Sequence, residues 1–184
     1  FVYLGRHFDF DMSETNYMQK LTDSFTILMD RMNSLPLHPR FKLLIYQRFI
    51  LSKISWDLTV SDITESSVRK ILDKKARHYI RLWPDLPVSW TLSAVTLTCN
   101  MYGLSIYLVS SRFLQCKVAY RRCLKLSKNP DVVLIHSSTS YGKNIRPDSY
   151  TSAKAAIKDI RKKSESRLLS KLTTQSLVMK SIWD

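Results

Sequence analysis

Basic side chains recur at helical spacing in the middle of the sequence, and they are its clearest chemical pattern. Four of them stand at i, i+4, i+7 and i+11: Lys70, Lys74, Arg77 and Arg81. Residues at this spacing share one helix face, where like charges repel by roughly a few tenths of a kcal/mol per pair. Phosphate groups would relieve that repulsion, so the row favours polyanion binding over a merely solvated face.

Two further patterns place bases on predicted helices. The first puts two ammonium groups and two rings on one strip: Lys42, Tyr46, Phe49 and Lys53. The second is a row of bases at steps of four: Lys117, Arg121 and Lys125. The strip at 42–53 allows two interpretations, a nucleic-acid surface or core rings that pack against a neighbouring element.

The whole chain is strongly basic. Its 184 residues include 29 Lys and Arg against 15 Asp and Glu, which gives a net charge of +14. Up to Asp30 there are two bases and five acids, a net −3, so the remaining 27 bases and ten acids sum to +17. No acid occurs from Arg31 to Trp56. This excess indicates either a solvated basic surface or, more specifically, a nucleic-acid partner.

Patterns for bond-breaking chemistry are missing from the sequence. Three isolated glycines cannot form a phosphate-binding loop, and no metalloprotease or nucleophile-elbow motif occurs. Cys116 and Cys123 lack metal-ligand spacing and are predicted to be buried thiols. Asp9 and Asp11 could share one side of a strand, but only Glu14 accompanies them. We therefore predict no catalytic residue and no metal site.

Apolar spacing predicts a mainly helical chain. One helix has its apolar positions between Met18 and Met32, and others are predicted over about 40–55, 65–83, 110–126 and 152–182. The inward residues of the second and third helices are predicted to include Leu44, Ile71 and Leu82, and the predicted caps are Ser61 or Thr64 for the third helix and Ser110 or Ser111 for the fourth. Pro36 and Pro39 separate the first two helices by a stiff elbow. The alternating pattern before residue 13 predicts a short β-hairpin. Since the chain begins at Phe1, it is predicted to be part of a longer protein.

Several short motifs follow one another along residues 1–126. They are FVYLG at 1–5, LPL at 35–37, RFKLL at 40–44, FILSKI at 49–54, ARHYIRLW at 76–83, LP at 86–87 and YGL at 102–104. This order resembles the reverse transcriptases of non-LTR (LINE-type) retrotransposons. In that family an F-x-Y-L-G segment follows the catalytic Tyr-x-Asp-Asp hairpin, and the later motifs form the thumb, whose helices hold the template–primer duplex.

The resemblance implies a role for two groups of residues. Tyr3, Leu4 and Gly5 would match the strand turn that supports the primer end, as a primer grip. The thumb helices would present Lys42, Lys53 and the row at 70–81 to the sugar–phosphate backbone. This sequence lacks the Tyr-x-Asp-Asp motif, so the chain alone is expected to be non-catalytic and without a cofactor, whereas Mg²⁺ is expected for the parent polymerase.

These patterns predict four regions. Residues 1–16 form the end of a palm-like β-element, 17–126 a helical thumb-like domain, 127–151 a linker rich in Ser, Thr and Pro, and 152–184 a C-terminal helix. The predicted fold class is mainly α: a thumb-like helical bundle with a short N-terminal β-hairpin and a long C-terminal helix.

The predicted function is to grip a template–primer duplex through phosphate contacts. The expected partners are RNA or an RNA–DNA hybrid and the upstream palm and fingers of the same polyprotein. No membrane partner is expected, because the sequence contains neither a spanning apolar run nor a signal peptide. An intracellular location, nuclear or cytoplasmic, follows. The alternative is a helical protein-interaction module with a basic surface, whose binding would depend little on salt.

Overall fold

The computed structural model of the protein describes residues 2–3, 6–7, 15–61, 63–86, 92–97 and 104–138 and positions 155, 158, 159, 162, 163 and 166. The described part is mainly helical, as the sequence predicts. Two-residue strands, β1 (Val2–Tyr3) and β2 (Arg6–His7), pair antiparallel. Residues 8–14 are not among the residues that the structure describes, so the part of the predicted hairpin that includes them stays a prediction.

The first helix, α1 (Thr15–Ser34), follows the predicted apolar spacing. Leu21, Phe25, Met29 and Met32 are buried along one side. After the predicted elbow, Pro39 occupies the first position of α2 (Pro39–Ile45), where a missing N–H costs nothing. The side chain of His38 caps this helix by accepting the N–H of Arg40 at 3.3 Å.

The next segment was predicted as one regular helix and contains a π-helical turn instead. This turn, Tyr46–Ile50, joins α2 to α3 (Leu51–Lys53), and α4 (Ser55–Val60) follows after Ile54. A π turn holds one more residue than an α turn, and the inward face shifts accordingly. The buried side chains are Leu43, Tyr46, Ile50, Leu51, Ile54 and Leu58. Leu44, which was predicted to face inward, is exposed.

The central helix of the bundle is α5 (Glu65–Leu82), and it begins at the residue that the sequence predicts. The hydroxyl of Thr64 caps it by accepting the N–H of Ser67 at 3.3 Å. Its buried apolar residues are Val68, Leu72, Ala76, Ile80 and Trp83, the last just beyond the helix. Ile71 and Leu82 were predicted to be inward and are exposed, since the core face is narrower than the apolar spacing suggested.

Three more helices complete the described part: α6 (Ser93–Thr96), α7 (Val109–Lys125) and α8 (Pro130–Ser138). The last lies inside the predicted linker and packs against α7. Pro130 starts this helix rather than interrupting it, and the Asn129 side chain accepts the N–H of Asp131 at 2.9 Å. Cys123 is exposed and Cys116 half-buried, so the prediction that both thiols are buried is wrong.

The core lies where α5 packs between α1 and α7. Polar contacts reinforce the α1–α5 side: Lys75 Nζ donates to Thr26 Oγ1 at 2.8 Å, and Trp83 Nε1 donates to Asn33 Oδ1 at 3.1 Å. The Tyr79 hydroxyl donates to Asp30, and this bond is the main reason the pKa of Tyr79 is raised to about 12. The predicted helix over 152–182 lies largely outside the described residues.

Candidate nucleic-acid interface

The row of bases predicted on α5 is exposed over most of its length. Lys70, Lys74 and Arg77 are exposed, and Arg81 is partly buried at the end of the helix. Lys70 and Lys74 lie opposite the buried residues Val68 and Leu72, because two residues turn an α-helix by about 200°. Arg77 and Arg81 follow the buried Ala76 and Ile80 by one residue, about 100°, and lie at the edge of the buried face. Packing of α5 against α1 and α7 therefore fixes the direction in which the row points.

Neither acidic residue of α5 is exposed beside this row. Glu65 pairs with Arg69 one turn along the helix, where its Oε1 accepts from Arg69 Nε at 2.7 Å. Asp73 stands one turn before Arg77, whose charge acts on it, but its side chain is completely buried. The helix holds six bases against these two acids, a net charge of +4. Consequently the exposed side of α5 around Lys70, Lys74 and Arg77 is strongly basic.

Asp73 holds the start of α7. Its Oδ1 accepts the N–H of Ser110 at 2.9 Å, and its Oδ2 accepts the Ser110 hydroxyl at 2.6 Å. Ser110 or Ser111 was predicted to cap this helix, but both lie inside it, and the acceptor at its start comes from Asp73 of α5. Burial raises the pKa of Asp73 above its ordinary value, although both bonds to Ser110 and the charges of Arg77 and Arg69 act in the opposite direction.

Tyr46 belongs to this buried polar region and not to the surface. Its ring is fully buried against Trp83 in an edge-to-face contact, and its hydroxyl donates to the carbonyl of Tyr107 at 3.1 Å. Burial, with the nearby charge of Asp73, raises the pKa of Tyr46 well above its usual value. A ring without exposed surface cannot lie against a sugar, so the surface interpretation is wrong for Tyr46 and the core interpretation holds.

The other members of the strip at 42–53 separate into two groups. Lys42 is half-buried, and its Nζ donates to the carbonyl of Asn33 at 2.9 Å, at the C-terminal end of α1. A cation suits this position because the last carbonyls of a helix lack partners and carry partial negative charge. Phe49 and Lys53 are exposed. Spacing explains the burial of Tyr46, since it stands three residues after Leu43 and four before Ile50, which are both buried.

The row predicted on α7 is also divided. Lys117 Nζ donates to the carbonyl of Thr59 at 2.9 Å and to that of Ser61, and it lies 5.5 Å from the centre of the Phe113 ring. It therefore closes the end of α4. Arg121 is half-buried, and Lys125 is exposed. Lys125 is therefore the only residue of this row whose side chain is exposed.

The structure also places residues on the surface that the sequence patterns did not single out. On the outer side of α2–α4, the exposed residues include Arg40, Phe41, Arg48 and Trp56. Their signal in the sequence was the absence of acids between Arg31 and Trp56. That signal indicated a basic segment without indicating which side chains leave the core, because the π turn was not predicted.

Some predicted features fall outside what the structure describes. Leu4 and Gly5 of the expected primer grip are among them, as are Asp9, Asp11 and Glu14, while Tyr3 lies in β1. Within the described ranges, no group of three His, Cys, Asp or Glu side chains could hold a metal ion. In the same ranges, no helix combines the length and apolar character needed to cross a membrane.

Comparison with known proteins adds no relative to this picture, because no protein-family model, curated protein or solved structure matches the chain.

Proposed function

We propose that this chain binds a nucleic-acid duplex, preferentially an RNA–DNA hybrid, through the phosphates that face α5. The observation that carries the proposal is the exposure of Lys70, Lys74 and Arg77 on one side of α5. The two acids of this helix are hydrogen-bonded to Arg69 and to Ser110. The row would bind without preference for a base sequence, because the contact of an ammonium or guanidinium group with a phosphate depends only on charge and spacing.

The proposal includes the thumb of a non-LTR retrotransposon reverse transcriptase, on the strength of the motif resemblance at 1–126. In that setting the helical bundle grips the template–primer duplex while the active site and its Mg²⁺ lie in the upstream palm. The N-terminal hairpin would connect to that palm, and a long C-terminal helix would follow the bundle. The chain alone would be non-catalytic, and its location would be intracellular, nuclear or cytoplasmic.

A salt titration with a matched charge control tests the proposal. The variant Lys70→Glu/Lys74→Glu/Arg77→Glu changes the charge by −6, as does Lys20→Glu/Arg31→Glu/Lys128→Glu at exposed positions elsewhere. Binding of an RNA–DNA hybrid is measured against salt for both variants and for the wild type. Each phosphate contact contributes about −0.7 to −0.9 to the slope of log K against log salt.

We expect the α5 variant to lose about tenfold or more in affinity at low salt, and its slope to become less steep by about two to three. The control variant should bind almost as the unmodified chain does. Equal losses in the two variants would show that only net charge matters, and unchanged binding by the α5 variant would remove this row from the interface. Urea unfolding of both variants checks that they are folded.

The second candidate function is a protein-interaction module, and one observation favours it. Leu126, which follows α7, and Leu134 and Ile135 of α8 are exposed by 60% or more. An apolar partner on these side chains would bind with little dependence on salt, in contrast to phosphate binding. A flat salt slope for a bound partner would therefore support this alternative.

A further inference from the structure

A second exposed surface combines aromatic rings with bases. It lies on the outer side of the segment from α2 to α4 and carries three large rings that are more than half exposed: Phe41 at 54%, Phe49 at 57% and Trp56 at 52%. Single exposed apolar side chains are ordinary on protein surfaces, whereas several on one face indicate a binding surface.

Spacing places these rings on the side of the segment away from the core. Leu43, Tyr46, Ile50, Ile54 and Leu58 are buried at steps of three and four residues. The rings stand eight and seven residues apart in the sequence. Each spacing is about two helical turns, so the three rings fall on a similar side of the segment.

Exposed bases alternate with the rings along this part of the sequence. Arg40 adjoins Phe41, Arg48 adjoins Phe49, and Lys53 stands between Phe49 and Trp56, all three bases being exposed. We call these six residues the ring–cation face. No acid occurs between Arg31 and Trp56. The next acid, Asp57, is half-buried and accepts a hydrogen bond from the Tyr17 hydroxyl.

This mixture favours one class of partner. A membrane-surface helix places its basic side chains on one face and its apolar side chains on another. In the ring–cation face, by contrast, bases and rings alternate along the segment. A single-stranded nucleic acid supplies both complementary features, because its phosphates match the bases and its unpaired bases have flat surfaces that stack on rings. A continuous duplex matches less well, since its bases are already stacked on one another.

We propose that the ring–cation face binds a single-stranded nucleic acid, with unpaired bases stacked on Phe41, Phe49 and Trp56 and phosphates on Arg40, Arg48 and Lys53. This inference rests on the proposed function for the class of partner, and it adds a second site on a different surface from the α5 row. The two sites together would hold a duplex and its unpaired extension.

The test compares strands that differ only in their bases. The full chain is titrated with an oligothymidylate of about 20 nucleotides, an abasic strand of equal length and a blunt RNA–DNA hybrid. The variant Phe41→Leu/Phe49→Leu/Trp56→Leu removes the rings and keeps apolar side chains. Tyr120→Leu is the control, because it removes an exposed ring from α7.

For the wild type we expect oligothymidylate to bind at least about tenfold more tightly than the abasic strand, because stacking depends on bases and phosphate contact does not. Binding should also quench the fluorescence of Trp56. The triple leucine variant should lose the preference and keep its affinity for the blunt hybrid. The Tyr120→Leu control should keep both.

Equal binding of the two strands by the wild type would overturn the inference, as would an undiminished preference in the triple leucine variant. Binding of phosphatidylserine vesicles that depends on the three rings, without a preference for oligothymidylate, would assign the face to a lipid surface instead. The α5 charge-reversal variant separates the two proposals. If each site works as proposed, that variant loses hybrid binding and retains the ring-dependent preference.

Discussion

The outward side of α5 and the contact between α4 and α7 carry the same chemical pattern and use it differently. Both present bases at steps of four, Lys70 and Lys74 in one case and Lys117 with Arg121 in the other. On α5 the ammonium groups reach solvent. On α7, Lys117 satisfies two backbone carbonyls at the end of α4. Spacing therefore identifies a helix face without indicating whether a neighbouring helix ends beside it.

The acids of the two regions follow the same distinction. On the exposed side, Glu65 pairs locally with Arg69, as its spacing predicts. On the buried side, Asp73 reaches across to Ser110, 37 residues away, and supplies a cap that α7 lacks from its own side chains. Substitutions in the buried region should therefore change stability, and substitutions on the exposed side should change binding.

The largest expected effect is that of Asp73→Ala. It leaves the buried N–H and hydroxyl of Ser110 without an acceptor and removes the cap of α7, which should lower the free energy of unfolding by about 3 kcal/mol. Urea denaturation measures this loss. Asp131→Ala at an exposed site should cost at most about 0.5 kcal/mol. Similar losses in the two variants would contradict the buried cap.

A smaller effect is expected when the two kinds of lysine are compared directly. Lys117→Met keeps an apolar stem but withdraws the donor from the carbonyls of Thr59 and Ser61, which should cost about 2 kcal/mol. Lys74→Met should stay within about 0.5 kcal/mol and instead weaken binding to the hybrid. Equal stability of the two variants would show that the lysines are equivalent and would remove the distinction between the regions.

The smallest effect concerns pH. Because burial raises the pKa of Asp73, the native state binds a proton at pH values where the unfolded chain has released it. Its contribution to stability therefore rises as the pH is lowered through the raised pKa toward the ordinary value, by at most about 1.4 kcal/mol per pH unit. Wild type and Asp73→Asn are compared by urea unfolding at several pH values. The free energy of unfolding of the wild type should increase relative to that of the variant as the pH is lowered. A difference that is constant with pH would contradict this expectation.

Much of the helical architecture was predictable from the sequence. Leu21, Phe25 and Met32 recur at helical spacing and are buried in α1, and Thr64 caps α5 at one of the two predicted residues. Local chemistry decides these features, since side-chain periodicity and capping act over one or two turns. The row at Lys70, Lys74 and Arg77 was predictable for the same reason.

The candidate site was less predictable wherever its members depend on distant contacts. Tyr46 is aligned at helical spacing with Lys42 and Lys53 and also with Leu43 and Ile50, and the structure buries it with the second pair. The exposure of Phe41 and Trp56, on which the proposed ring–cation face depends, was not indicated by spacing either. The π turn at Tyr46–Ile50 was not predicted, because no periodicity in the sequence indicates a single inserted residue in a helical turn.

Composition and interactions within a few residues account for the basic character of the chain, most helix positions and the row on α5. Which bases remain available to a partner depends on how the helices pack. Lys42 and Lys117 lie beside the ends of α1 and α4, where they donate to main-chain carbonyls that lack partners within their own helix. Sequence patterns do not indicate these contacts, because packing sets the direction in which a helix end exposes its acceptors.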